Sequence, residues 1–160
     1  MQDDNEIIEQ IIHSFTKFNL RDIEEINKYE KDYIIAEFIL CSCLIDQLSG
    51  FRYNNGVVSK RYKQFVKEYL TKYNPNKLYY DLRNKLVHNY SVGNNYGLTR
   101  NAKHLHLRKI NGLLYLNLED FIKDLKDAID KYIIELRNDS DVKRNALSWY
   151  SKNKIISLNT

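Results

Sequence analysis

One short stretch of the sequence groups side chains that can handle a phosphate and a proton. Arg83 carries a planar cation with five N–H donors, and Asn84 beside it offers an amide. His88 follows, with the side chain that exchanges protons most readily near neutral pH. On an α-helix, Asn84 and His88 lie about 40° apart around the axis, whereas Arg83 and His88 lie about 140° apart. Because arginine is long enough to curl towards a shared ligand, the three residues predict a phosphate site.

The charge distribution favours a polyanionic partner for this stretch. The 160-residue chain has 25 basic and 21 acidic residues, a net charge of +4. Residues 51–110 contain thirteen Lys or Arg and two acids, whereas residues 1–32 contain nine acids and four bases. A basic segment of this kind suits a nucleic acid. Our candidates for substrate binding are Asp46, Lys60, Arg61, Lys63, Tyr90 and Ser91, and we expect Lys60, Arg61 and Lys63 to face water.

Apolar periodicity predicts a mainly α fold. We expect helices at about residues 4–18, 33–48, 59–72, 77–89 and 119–137, with Ser49-Gly50 ending the second and Ser59 capping the third. Alternation on both sides of Asn111-Gly112 predicts an antiparallel β-hairpin over about residues 103–118. The tail around Trp149 is ambiguous. The prediction is one domain over residues 1–160, a helical bundle with an inserted small antiparallel β-hairpin.

The motif and the order of the helices resemble the HEPN superfamily. Its members are small helical bundles with an Arg-x4-6-His motif near the end of a helix. Here the spacer between Arg83 and His88 is four residues, and Asn84 supplies the polar residue that commonly follows the arginine. The predicted hairpin is not part of the minimal family bundle. The resemblance implies a metal-independent endoribonuclease that works as a homodimer, in a toxin–antitoxin or defence context with an antitoxin or operon partner.

The resemblance also implies a role for each motif residue. His88 would be the general base or acid, Arg83 would neutralise the phosphorane, and Asn84 would orient the phosphate or the imidazole. The substrate would be RNA, because DNA lacks the attacking 2′-hydroxyl, and the products would be a 2′,3′-cyclic phosphate and a 5′-hydroxyl. No cofactor is implied. A homodimer would supply two imidazoles, one as base and one as acid.

Two other functions fit the same sequence. Other HEPN proteins bind a nucleotide or only serve as scaffolds, so the first alternative is a non-catalytic HEPN module that binds RNA, a nucleotide or a partner protein. The second is an interaction protein whose acidic residues 1–32 pair with its own basic region or with a basic partner.

Structural interpretations of the motif remain open. Arg83 could pair with Asp46 or Asp81, and His88 could be stabilised at the C-terminal end of its helix. Asp46 could instead line the same cleft or be solvated near the end of its helix. The basic residues between 60 and 67 could form a merely solvated face.

Several further residues need an interpretation. Tyr90 could pack and Ser91 could cap rather than touch a ligand. His104 and His106 alternate in the predicted strand, but a metal pair is disfavoured because a third ligand is lacking nearby, so we expect a solvated or RNA-facing strand. The tyrosines expected in loops are the candidates for base stacking, namely Tyr53, Tyr73 and Tyr96.

The remaining sequence features concern the location of the protein in the cell. Cys41 and Cys43 lie two apart in an apolar segment, and we interpret both as buried thiols. The acidic N-terminus differs from a secretory signal, and we expect no apolar run near the roughly 20 residues that span a bilayer. These features predict a cytoplasmic protein without membrane contact.

Overall fold

The computed structural model describes residues 3–28, 33–153 and 155, which form a mainly helical fold with a small β-sheet. The helices are α1 (Asp4–His13), α2 (Arg21–Lys28), α3 (Ile34–Tyr53), α4 (Val58–Tyr69), α5 (Pro75–Lys77), α6 (Lys85–Asn89), α7 (Leu118–Asn138) and α8 (Ser140–Lys152). Two π-helical segments, Ser14–Leu20 and Leu78–Asn84, join α1 to α2 and α5 to α6. The strands are β1 (Tyr96–Thr99), β2 (Lys109–Ile110) and β3 (Leu113–Asn117). The predicted mainly α bundle with a small β insertion is confirmed.

The central helix of the bundle is α3. It packs against α4, α7, α8 and the π segment Ser14–Leu20, and its side chains are buried around most of its circumference. Phe38, Ile45 and Leu48 are fully buried among these neighbours. Burial of one such side chain stabilises a fold by about 1.5–3 kcal/mol, so these contacts are a major source of stability.

By length and composition, α3 could cross a membrane, contrary to our expectation that no apolar run approaches that length. The helix has 20 residues, and its apolar window has a mean hydropathy of 1.6. However, 56% of that window is buried inside the bundle, as in the core helix of a soluble protein. The polar residues Glu37 and Asp46 on this helix are each paired with an arginine, which also fits a core helix.

The sheet has the strand order β1-β3-β2, with β1 parallel and β2 antiparallel to β3. The predicted hairpin turn is confirmed: Asn111 and Gly112 both have positive φ, 49° and 85°, as a two-residue hairpin turn requires. The hairpin is shorter than predicted, because residues 103–105 form a single 3-10 turn rather than a strand. Strand β1 was not predicted.

Three predicted helix boundaries are wrong. The first helix continues beyond residue 18 through the π segment to Lys28. Ser49-Gly50 does not end α3, which continues to Tyr53 and ends with Asn54 in the left-handed conformation (φ 47°). Ser59 lies inside α4, whose N-cap is Val57. The tail, which the sequence left ambiguous, forms α8 as far as Lys152.

Candidate functional site

The candidate site lies on the continuous helix from Pro75 to Asn89, called here the motif helix, which comprises α5, the π segment and α6. Pro75 occupies the first turn, and the side chain of Asn74 caps this end by accepting a hydrogen bond from the backbone N–H of Lys77 at 3.0 Å. At the other end Tyr90 takes the left-handed conformation, and its N–H bonds to the carbonyl of Leu86. The motif therefore lies in the last two turns of a capped helix.

The inward face of the motif helix fixes its position in the bundle. Leu78, Leu82 and Leu86 are fully buried, as the apolar spacing predicted. The loop after the helix is also held to it, because the carbonyl of Asp81 accepts from the N–H of Gly93 at 2.7 Å. These contacts leave the opposite face of the helix, with Asn84 half-buried and His88 exposed, towards solvent.

Arg83 lies at the centre of the candidate site. Its Nε and Nη2 atoms donate to the same oxygen, Oδ2 of Asp46 on α3, at 2.9 and 2.6 Å. Its Nη1 atom donates to Oδ1 of Asn84 at 2.9 Å and lies 3.3 Å from Nε2 of His88. The guanidinium also lies over the ring of Tyr79, 5.6 Å from its centroid. The guanidinium of Arg83 thus contacts both other residues of the motif, Asn84 and His88.

The contact between Arg83 and His88 brings the imidazole beside the guanidinium. A guanidinium only donates hydrogen bonds, so Nη1 donates to His88 in the tautomer whose Nε2 carries a lone pair. The His88 side chain is exposed, so a ligand can reach the ring next to Arg83.

Asp46 orients Arg83 and balances part of its charge. The two side chains are only 16% and 14% exposed, so the ion pair is largely buried. Burial raises the pKa of the Asp46 carboxyl, although the hydrogen bonds and charge of Arg83 act in the opposite direction. The pairing with Asp46, one of the two partners that the structural interpretation proposed, is present; Asp81 instead accepts from the side chain of Asn95 at 2.7 Å.

The basic residues of α4 have separate roles. Lys60 is exposed, as predicted, and Lys63 is half-buried with its Nζ 5.3 Å from the ring centroid of Tyr80 on the motif helix. Arg61 was expected to face water and bind substrate, but it is buried, only 9% exposed. Its guanidinium lies 5.0 Å from the ring of Trp149 and donates to backbone carbonyls of the loop between α3 and α4. Arg61 therefore holds that loop rather than a ligand.

No protein-family model matches the chain, and no curated protein or solved structure is significantly similar to it.

Other predicted site residues lie near the end of the motif helix. Tyr90 is 70% exposed and Ser91 is exposed, so both side chains are accessible beside His88. The backbone N–H of Ser91 bonds to the carbonyl of Lys85 at 3.2 Å and helps to close the helix end.

Cys43 on α3 is exposed rather than buried, whereas Cys41 is buried as predicted. Although the Cys43 side chain reaches solvent, partial desolvation by its neighbours and the charge of Asp46 raise the pKa of its thiol, while the charge of Arg83 lowers it.

The two histidines expected in one strand differ in exposure and in hydrogen bonding. His104 is exposed, whereas His106 accepts from the backbone N–H of Asn117 through Nδ1 at 3.2 Å and contacts the hydroxyl of Tyr73 through Nε2 at 3.1 Å. Tyr73 in turn donates to Asp124 at 2.8 Å. These bonds make His106 part of the packing between sheet and bundle. Within residues 3–28, 33–153 and 155, no group of three or more His, Cys, Asp or Glu could hold a metal ion.

The tyrosines chosen for base stacking are mostly inaccessible. Tyr73 and Tyr96 are only 5% and 4% exposed, and half-buried Tyr53 donates its hydroxyl to Glu68 at 2.7 Å. The exposed tyrosine nearest the motif in sequence on its N-terminal side is Tyr80, which sequence reasoning missed. Tyr80 follows Tyr79 directly, and the side chains of adjacent residues in a helix point in different directions. The helical spacing was therefore a signal that one of these two tyrosines is exposed.

Proposed function

We propose that this protein is a HEPN-type, metal-independent endoribonuclease that acts as a homodimer in the cytoplasm, in a toxin–antitoxin or defence context. The observation that carries the proposal is the convergence of Asn84 and His88 on one nitrogen of Arg83. The basic residues on the neighbouring helix α4 support it, because Lys60 and Lys63 offer cations for a phosphate backbone.

The proposed reaction is transfer of the phosphate to the 2′-oxygen of RNA. His88 of one copy takes the proton from the 2′-hydroxyl, and the oxygen attacks the adjacent phosphorus. The bond from phosphorus to the 5′-oxygen breaks, and a protonated His88 of the second copy donates to that oxygen. Arg83 stabilises the charge of the phosphorane, and Asn84 orients the phosphate or the imidazole.

The first test is cleavage of single-stranded RNA by the purified protein in the presence of EDTA. We expect the wild type to cleave, and we expect H88A to lose about a hundredfold or more in rate, as loss of a general base or acid does. R83K keeps the charge but loses the planar fork that Asp46 and Asn84 hold, so we expect a large loss there too.

The matched control is H104A, because His104 is also exposed and lies outside the motif helix. We expect H104A to cleave at the wild-type rate. A wild type that leaves RNA intact, or an H88A variant as active as the wild type, would remove the enzymatic claim.

One observation favours the alternative of a non-catalytic module that binds RNA, a nucleotide or a partner protein such as an antitoxin. The Arg83 side chain is only 14% exposed and already paired with Asp46, which leaves less of its charge for a phosphorane. This alternative predicts that wild type and H88A bind RNA equally well and that neither cleaves it.

A further inference from the structure

Tyr80 is an exposed aromatic side chain held in place beside the candidate site. It is 50% exposed, although the ring of Tyr79 meets it edge to face with centroids 5.0 Å apart. The Nζ of Lys63 on α4 lies 5.3 Å from its ring centroid. The ring is therefore supported by a neighbouring aromatic and a cation while half of its surface remains open to solvent.

The position of Tyr80 relates it to the motif. Tyr80 precedes His88 by eight residues on one continuous helix, about 12 Å along the axis. A stacked strand rises about 3.4 Å per nucleotide, so this distance corresponds to roughly three to four nucleotides. Half-buried Asn84 lies midway between them. A strand that lies along this helix can contact Tyr80 and His88 at the same time.

The combination of ring and cation is the feature that points to a ligand. A single exposed tyrosine is common on protein surfaces and by itself indicates nothing. Here the ring contacts Lys63, and Lys60 lies one helical turn earlier on α4, where it is exposed. Proteins that hold single-stranded nucleic acid place basic groups along the backbone and aromatic rings under the bases.

We propose that Tyr80 stacks on an unpaired base of the RNA while Lys63 binds a neighbouring phosphate, which positions a phosphodiester three to four nucleotides away at Arg83 and His88. The inference rests on the proposed use of this face for RNA. Tyr80 is then a positioning residue that selects single strands, because a base within a duplex is stacked on its neighbours and does not offer its face.

The test measures binding separately from cleavage. The probe is a fluorescent strand of 2′-O-methyl RNA, which cannot be cleaved by attack of its 2′-oxygen, used alone and annealed to its complement. We expect Y80A to bind the single strand about tenfold more weakly than the wild type, and Y80F to bind as the wild type does. We expect Y80A and the wild type to bind the duplex equally.

The matched control is Y33A. Tyr33 is also 50% exposed, and it lies thirteen residues before Asp46, about 20 Å away along α3. We expect Y33A to keep wild-type affinity. In a strand with one 2-aminopurine, the wild type and Y80F should quench its fluorescence through stacking at one position, and Y80A should not.

The role of Lys63 has its own readout. Loss of one phosphate contact with a single strand lowers the slope of log Kd against log salt concentration by about 0.7. We expect this change in K63A and none in K17A, since Lys17 is an exposed lysine of the first π segment. An unchanged slope in K63A would overturn the assignment of Lys63.

The outcomes separate this inference from the nuclease proposal. Equal single-strand affinities of Y80A and wild type would overturn the role of Tyr80 even if the protein cleaves RNA. A Y80A variant that loses only self-association, with unchanged RNA affinity per assembled protein, would also overturn it and would indicate a protein contact. Binding that depends on Tyr80 without any cleavage would support this inference while removing the nuclease.

Discussion

The ion pair between Arg83 and Asp46 joins two largely buried side chains from different helices at the candidate site. Asp46 was recognisable from sequence as a carboxylate on an apolar helix, which needs a partner. The structure supplies Arg83 as that partner, and the guanidinium is thereby fixed in the orientation in which Nη1 meets Asn84 and His88. The structural and the functional interpretation of this arginine are therefore compatible, because the buried pair is what positions the exposed groups.

The burial of Arg61 shows what residue patterns could not reveal. From sequence, Arg61 belongs to a basic run on an amphipathic helix, and such residues usually face solvent. Its burial depends on Trp149, which comes from α8 at the far end of the chain. A contact of that sequence separation leaves no signal in local periodicity. By contrast, the motif residues lie within one helix, so their spacing was sufficient to predict that they come together, although the pairing of Arg83 with Asp46 sets the orientation of the guanidinium.

At the same scale, His106 makes stability depend on pH. Burial lowers its pKa below the ordinary value of 6.5, against the opposing charges of Asp120 and Asp124, while the charge of Lys72 lowers it further. The folded state therefore binds fewer protons than the unfolded state just below pH 6.5, and stability must fall as pH falls through that range.

We expect the free energy of unfolding, measured by urea titration, to decrease more between about pH 7 and about pH 5 in the wild type than in H106N. Asparagine can still accept the hydrogen bond from the backbone N–H of Asn117 but does not titrate. Parallel pH profiles for the two proteins would contradict this account of His106.

At the scale of elements, the ends of α3 depend on packing that the sequence does not display. Gly50 was expected to stop the helix, since glycine is common just after a helix end. Instead Gly50 is buried within α3, and a Cβ there would lie 2.6 Å from Cε2 of Trp149. The glycine makes room for α8 to approach α3. The sequence alone cannot distinguish a glycine that ends a helix from one that allows close packing.

This arrangement predicts that G50A is destabilised. Its Cβ would overlap the indole ring, and overpacking of this kind costs about 1–3 kcal/mol. The control is G56A, because a Cβ on Gly56 meets nothing within 4 Å, and we expect a change of at most about 0.5 kcal/mol there. Thermal and urea unfolding of both variants measure the difference. Equal stabilities for G50A and the wild type would show that Trp149 does not need this space.

The sheet was predictable only where pairing is local. Asn111-Gly112 identified the turn between β2 and β3, because two residues with positive φ are the natural link in a tight hairpin. Strand β1 pairs in parallel with β3 across an intervening loop, and its four residues include Gly97, which weakens a strand signal. The ring of Tyr115 on β3 covers Gly97, so the pairing is supported by a contact that only the folded chain creates.

At the scale of the whole molecule, two acidic residues of the N-terminal helices form ion pairs with α7. In the first helical segments, Glu9 pairs with Arg137 and Glu24 pairs with Lys126, both on α7. These acids are therefore matched by α7 rather than by the basic middle of the chain, which weakens the interpretation of an internally paired interaction protein. In the basic middle of the chain, Lys63 of α4 lies next to Tyr80 on the motif helix, and Lys60 on the same helix is exposed.

The exposed apolar side chains around His88 provide a surface for the proposed homodimer. Val87 and Tyr90 on either side of it are 37% and 70% exposed. We expect the wild type to dimerise in sedimentation velocity and V87E to shift the equilibrium towards monomer, because it places a charge in an apolar contact. The control is I134E, since Ile134 on α7 is 63% exposed. A wild type that stays monomeric at every concentration, or equal effects of V87E and I134E, would contradict a dimer formed through the motif.

The central claim is that the cluster of Arg83, Asn84 and His88 transfers a phosphate to the 2′-oxygen of RNA. The most direct test is mass spectrometry of the RNA ends that the wild type and H88A produce in the presence of EDTA. We expect 2′,3′-cyclic phosphate and 5′-hydroxyl ends with the wild type and intact RNA with H88A. Ends with a 5′-phosphate and a 3′-hydroxyl, or the same fragments from both proteins, would contradict the assignment of this chemistry to the cluster.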